Sequence, residues 1–315
     1  MNEKQKQQYR IRNWPEYNAA LKARGSLTFW VDEAAVGGWQ SGEKSGRRGA
    51  SRTYTQSAIL CALTLQAVYH LPLRATVGLL GSLFGVMRLQ LPVPDYSTLC
   101  RRRQTLSVEL WASLPKGRLH LVVDATGFKV YGEGEWKVRQ YGYAKRRTWR
   151  KLHIGLDEAS SEIMAATVST NDFRDDALLF DLLEQVEAEI DQVSGDGIYD
   201  SAKCYKLLQE RQARASIPPC RDAVLRAKPE LTERNANIAR IAQLSEGGQD
   251  GRKQWKQESG YHRRSLVETG FFRLKTIFGD TLSPRHFDAQ ANELLIRCAA
   301  LNRMTQLGMP QSYPI

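Results

Sequence analysis

Apolar positions change their period near residue 116. Upstream, they recur at helical spacing. Tyr54 to His70 predicts a helix that Pro72 ends, and Leu73 to Met87 predicts a second. The run Pro92-Val93-Pro94-Asp95 breaks the pattern, and Asp95 or Ser97 can then cap a third helix, YSTLCRRRQTL. Gly37 to Arg52, rich in Gly, Ser and cations, reads as a flexible basic loop. Pro115-Lys116-Gly117 marks a boundary. Beyond it, His120 to Gly132, Trp149 to Asp157 and Glu162 to Ser169 predict three strands. Asp175 to Ile190 follows as an amphipathic helix, Gln192 to Gly195 as a strand, Ser201 to Gln212 as a helix and Arg214 to Pro218 as a fifth strand. Cys220 to Glu258 is polar, with Gly247-Gly248 and Gly251, and reads as an insertion or mobile connector. A helix starts at Tyr261, and Asp288 to Leu307 is a last amphipathic helix.

The succession β-β-β-α-β-α-β is that of a ribonuclease H-like domain: three antiparallel strands lead into parallel ones, with helices on both faces. The expected architecture is therefore α/β. A helical region at 1–115 precedes a mixed five-stranded catalytic domain at 116–315, with the connector at about 220–258. The paired helices before Leu106, one carrying Arg101, Arg102 and Arg103, resemble a helix-turn-helix.

Charge sharpens that division. The 315 residues carry a net +11; residues 1–115 hold 15 Lys and Arg against 7 Asp and Glu, so most of the surplus sits in the N-terminal part. That asymmetry points to a polyanion-binding module attached to a nearly balanced domain. The five cysteines are scattered, without a CxxC pair or Cys/His cluster, so neither a zinc site nor a disulfide framework is indicated, and reduced thiols in a cytosol fit. The start lacks an apolar signal segment, and the longest apolar stretch, Ala58 to Val68, is too short to cross a bilayer.

The candidate chemistry lies on the helix that begins at Tyr261. Tyr261, Arg264, Glu268 and Lys275 have offsets of 3, 7 and 14, which places them in a stripe about 60° wide. Leu266, Val267, Phe271, Leu274, Ile277 and Phe278 point to the other side. On a helix taken at random such a stripe is a solvated face with helix-spaced ion pairs, and it can also hold a divalent metal beside a phosphate chain. Two aspartates favour the second. Asp124 follows Leu121-Val122-Val123 in the central strand, and Asp196 follows the fourth strand in SGDGIYD. Taken alone, Asp124 could cap a hairpin and Asp196 could form an Asx-turn at Gly197. In this fold, however, both strand ends lie side by side and a later helix packs against them, so Asp124, Asp196 and Glu268 can converge. Asp200 suits a helix N-cap better, and Asp172, Asp175 and Asp176 sit at a helix start.

VVDATG, SGDGIYD and the Tyr-x2-Arg-x3-Glu-x6-Lys helix together resemble the DDE transposases of bacterial insertion sequences. YNAALKARGSLTFWVDE, RRTWRKLHIGLD and ALNRMTQLGMP are similar to the insertion sequence five family in particular, over about Trp14 to Pro310. The resemblance implies a ribonuclease H-like catalytic domain and Asp124, Asp196 and Glu268 as ligands of two Mg²⁺ ions, with Mn²⁺ as a substitute. It implies Tyr261, Arg264 and Lys275 near the DNA backbone. It further implies cleavage and strand joining at terminal inverted repeats, with double-stranded element ends and target DNA as partners and no membrane. Pairing two ends requires a homodimer or higher oligomer on DNA.

Trp136 to Lys151 holds seven cations, no acids and four aromatics, a composition suited to phosphate contact and base stacking. Arg146, Arg147, Trp149, Arg150 and Lys151, with Arg101, Arg102 and Arg103, are the further DNA-facing candidates, and Trp149 or Trp136 could stack on a flipped base. His153, alternating with Leu152 and Ile154, reads as a packing residue rather than an acid or base. Two other functions fit the same residues: a structure-selective nuclease that does not join strands, and a catalytically silent DNA-binding regulator. The intact acidic triad argues against the second.

Overall fold

The structure, a computed structural model, describes residues 9–31, 33–42, 53–115, 117–130, 149–246, 248 and 250–315. It divides into two units: Met1–Arg102 together with Ala300–Ile315, and Arg103–Ala299. The expected boundary at residue 115 is thus corrected, and the chain's end belongs with its beginning. The reason is pairing: a three-residue strand cannot stand alone, and β1 (Tyr9–Ile11) finds its antiparallel partner in β8 (Ser312–Pro314).

In that unit α1 (Trp14–Ala23), α2 (Leu27–Trp30) and α3 (Glu33–Gly37) precede α4 (Gln56–Val68) and α5 (Leu73–Val86). The Thr55 hydroxyl accepts the Ala58 N–H and so caps α4. Pro72 separates α4 from α5, and the two cross at 110°. α6 is Tyr96–Arg103. Trp30, Trp39, Leu63, Leu65 and Leu80 are fully buried here. No single described helix is long and apolar enough to cross a membrane.

The second unit is built on a mixed sheet of β2 (Leu119–Val130), β3 (Trp149–Asp157), β4 (Ile163–Thr170), β5 (Ile190–Ser194), β6 (Arg214–Ser216) and β7 (Thr281–Leu282). Its order is β4-β3-β2-β5-β6, with β7 beside the far end of β2. β2, β3 and β4 are antiparallel neighbours, and β5 and β6 run parallel to β2. Five of these strands follow the expected succession; β7 is an addition.

One face of β2, with Leu119, Leu121 and Val123, packs into a core shared with α7 (Leu179–Glu184) and α8 (Ala202–Glu210). The expected helix over Asp175–Ile190 is shorter, because Ile190 is claimed by the sheet beside Leu119. A 3₁₀ turn at Asp175–Leu178 leads into α7, and Arg211 donates to the Leu183 and Val186 carbonyls near its end. The other face of the sheet takes α11 (Ser265–Phe278), where Gly270 lies against Leu156 too closely for a Cβ.

The stretch 220–258, expected as an insertion or mobile connector, carries helical structure among its described residues. They contain α9 (Thr232–Ser245) and α10 (Gly251–Glu258), a helical pair that buries Leu231 and Trp255. Arg234 pairs with Asp200 at 2.7 Å, with both side chains almost wholly buried. Asp200 therefore anchors this pair rather than capping α8, whose cap is Ser201. α12 (Phe287–Leu307) closes the order of helices.

Candidate active site

The site starts from strand alternation. Asp124 and Thr126 lie on the opposite face of β2 from Leu121 and Val123, the face that receives α11. Asp124 Oδ1 accepts the Ala125 N–H at 2.8 Å. Asp196 comes one residue after Gly195, just beyond the end of β5, where Ser194 registers with Val122. Any Cβ on Gly195 would meet Tyr199 at 2.8 Å and Val123 at 3.2 Å, so this turn closes against β2 only with glycine. Asp196 Oδ1 accepts the Ile198 N–H at 2.9 Å. The Asx-turn expected of Asp196 taken alone is thus present, and it fixes the carboxylate in place.

Glu268 stands in the first turn of α11 and is mostly exposed. Tyr261–Arg264 forms a 3₁₀ turn before the α-helix, entered through Gly260 at φ +70. Arg264 joins the constellation. Its guanidinium donates to Asp124 Oδ2 at 2.8 Å and to Glu268 Oε1 at 2.5 Å. It lies 5.9 Å from the centre of the Tyr261 ring. Burial works against its charge, but Tyr261, Asp124, Glu268 and Asp196 outweigh that and hold its pKa above the usual value. Arg264 therefore bonds two of the three expected carboxylates, Asp124 and Glu268, while Asp196 acts on it only through its charge.

Burial pushes the Asp124 carboxyl above the ordinary carboxylate range, the Ala125 N–H and Arg264 oppose this, and the negative charge of Asp196 adds to the rise. Burial likewise raises the Tyr261 phenol and lowers the Lys275 ammonium. Lys275 donates to Thr126 Oγ1 at 2.7 Å and lies 5.1 Å from the Phe128 ring centre. It does not pair with Glu268.

The donor set consists of carboxylate oxygens and suits a hard divalent cation. As arranged, no three of the described His, Cys, Asp and Glu residues form a group that could hold a metal ion. Two of the three expected ligands are engaged by Arg264 instead. In donor chemistry the residues fit a divalent ion.

The remaining candidates divide. Arg146, Arg147 and Trp136 lie outside the described residues. Arg103 is corrected: it is 5% exposed and pairs with Glu293 at 3.3 Å, so it offers no charge to DNA. Arg102 donates to the Tyr54 carbonyl, and Arg101 is exposed. Lys151 pairs with Asp175 at 2.9 Å, Arg150 donates to Gln290 at 2.7 Å, and Trp149 packs over Gly127. His153 is fully buried against Ser169, and burial brings its pKa down to about 4, so it stays neutral and takes no part as an acid or base.

Two site residues escaped the sequence reading. Thr126 carries no signal of its own beyond standing two residues after Asp124. Phe272, 70% exposed, shares the stripe of Glu268 and Lys275, a position that helical projection places there but that apolar character argued against.

The family described as Transposase DDE domain matches residues 115–303, and a second family of the same description matches residues 22–133. Among solved structures, a piggyBac transposase synaptic complex with hairpin DNA is similar at 11% identity and a TM-score of 0.40, covering 91% of this chain and 75% of that one. The Drosophila P element transposase strand transfer complex is similar at 11% identity and a TM-score of 0.31, covering 84% and 82%. With well over half its length matched by the first family, and with Asp124, Asp196 and Glu268 all inside that match, the chain belongs to the transposase DDE domain family.

Proposed function

We propose that this transposase serves a bacterial insertion sequence of the insertion sequence five family. It binds terminal inverted repeats, frees a 3′-hydroxyl at each element end and joins it to target DNA. The observation that carries the reading is Arg264 bridging Asp124 and Glu268, with the charge of Asp196 acting on the same guanidinium, on elements separated by long stretches of chain. Asp124, Asp196 and Glu268 would hold Mg²⁺, or Mn²⁺ in its place. When bound, a pair of such ions activates the attacking oxygen and stabilises the leaving one.

The chain's own residues do the rest. Lys275, held at Thr126, presents an ammonium to a backbone phosphate beside the cut. Arg264 offers a two-pronged donor to a second phosphate once it leaves the carboxylates. Phe272 turns an unpaired ring outward on the same stripe, where a base can stack. The first unit, with most of the net positive surplus, recognises the repeats, and the enzyme acts in the cytosol as a homodimer or higher oligomer on DNA.

The test is incubation of labelled repeat ends and target DNA with Mg²⁺. Asp124→Asn, Asp196→Asn and Glu268→Gln each abolish nicked and joined products while end binding persists. Retained cleavage by any of the three removes that residue from the site. Nicks without joined products in the unmodified enzyme would make it a nuclease instead.

A further inference from the structure

We propose that Arg264 is the resident counter-ion of the acidic site, holding it closed to divalent cations until DNA draws the guanidinium away. The inference rests on the metal-dependent reading above and adds a positioning role for one residue. Carboxylates brought near one another raise one another's cost, so the site favours a positive partner.

Arg264 meets the need with a fork. One terminal nitrogen donates to Asp124 and the other to Glu268, so a single side chain ties the central strand to α11. The oxygens matter. Asp124 Oδ1 already accepts the Ala125 N–H, and Asp196 Oδ1 the Ile198 N–H. Asp124 Oδ2, the oxygen that Ala125 leaves, is the one Arg264 holds. A cation held by Asp124 and Glu268 would compete with the guanidinium for their oxygens.

Departure of Arg264 and occupation of the site are then one event. The released guanidinium remains a single turn from Glu268, placed for a phosphate. Phosphate binding and cation binding therefore favour each other, and linkage makes the effect reciprocal.

The experiment is calorimetric titration of the full chain with Ca²⁺, without DNA, which needs no turnover. Arg264→Gln should bind Ca²⁺ about tenfold more tightly than the unmodified protein, the lower-end value of one charge-assisted hydrogen bond. Arg264→Lys, which keeps the charge but loses the fork, should fall between them. Without Ca²⁺ the glutamine variant should melt lower than the unmodified chain, and saturating Ca²⁺ should narrow the gap. Equal or weaker Ca²⁺ affinity in Arg264→Gln overturns the proposal; if that variant does not fold, unchanged affinity in Arg264→Lys does so. Asp124→Asn separates the two levels. If it binds Ca²⁺ as well as the unmodified protein, the metal site itself is misplaced, whatever Arg264 does.

Discussion

Thr126→Val isolates the anchor of Lys275. The change swaps a hydroxyl for a methyl at nearly constant volume and keeps a β-branched residue opposite Leu152 in the sheet. What is lost is the acceptor 2.7 Å from the Lys275 ammonium. A hydrogen bond to a charged group contributes about 1.5–3 kcal/mol, and Lys275 is only partly buried, which favours the low end. The Phe128 ring, 5.1 Å away, continues to hold the cation. The ammonium thus stays near the site but loses its fixed direction. If its direction matters to the scissile phosphate, single-turnover cleavage should slow about tenfold, since 1.4 kcal/mol is a factor of ten in rate. The decisive comparison is a double-mutant cycle. In a Lys275→Ala background the threonine change should have almost no further effect, because the ammonium that Thr126 accepts from is gone. Refutation is an equal slowing with and without Lys275, which would give Thr126 a role of its own.

Other outcomes follow from the same geometry. His153 is neutral when folded, with its pKa near 4, whereas the unfolded chain protonates it near 6.5. Its contribution is fully present above about pH 6.5 and is lost as pH falls toward 4, about 3 kcal/mol in all. Urea unfolding of His153→Gln should lack that part of the acid loss, and an unchanged pH slope would exclude His153 as its source. Phe272→Leu, which keeps apolar area without a ring, should weaken binding to a nicked or frayed end by about 1–3 kcal/mol, with Phe272→Trp restoring it; normal binding by the leucine variant would rule out stacking. Arg234→Ala leaves Asp200 buried without its partner and should cost about 3–5 kcal/mol in chemical unfolding. A loss under 1 kcal/mol would return residues 220–258 to the standing of a loose insertion.

What the sequence made legible was local. Tyr261, Arg264, Glu268 and Lys275 could be aligned because helical period links near neighbours, and Asp124 because a hydrophobic strand leads into it. What it concealed was pairing across distance. Arg103 sits in a run of three arginines that looks exposed, and only the fold brings Glu293 to it. Arg264 was expected to pair with Glu268 or contact DNA, but its grip on Asp124 depends on β2 lying beneath the helix. It is therefore no ordinary exposed helix pair, and removing it should lower stability as well as activity. Residues 220–258 looked loose because Gly247-Gly248 and many polar side chains hid two short amphipathic helices whose buried members are few.

The division of the chain changes how its DNA-binding half must be tested. A fragment ending at residue 115 would include the basic helices but omit Ala300–Ile315, which belong to the same unit. Those residues are structural. Ser312–Pro314 is the sole partner of β1 among the described strands. Arg303 donates to the Phe29 carbonyl at 2.7 Å and stacks over Phe29 and Trp30, while Asn13 bonds to Met309 and Gln311. Leu301 and Met304 are buried. Burying two such side chains contributes about 3–6 kcal/mol, comparable to the whole stability of a unit this size. Residues 1–115 alone should therefore melt without a cooperative transition. A single chain joining residues 1–102 to 300–315 through a Gly/Ser linker should melt cooperatively. It carries 15 Lys and Arg against 6 Asp and Glu, so it should bind repeat DNA without metal and weaken steeply with salt. A cooperative melt of residues 1–115 at the same temperature as the joined chain would show that the C-terminal stretch is dispensable. Repeat binding by residues 103–299 and none by the joined chain would move recognition to the catalytic unit.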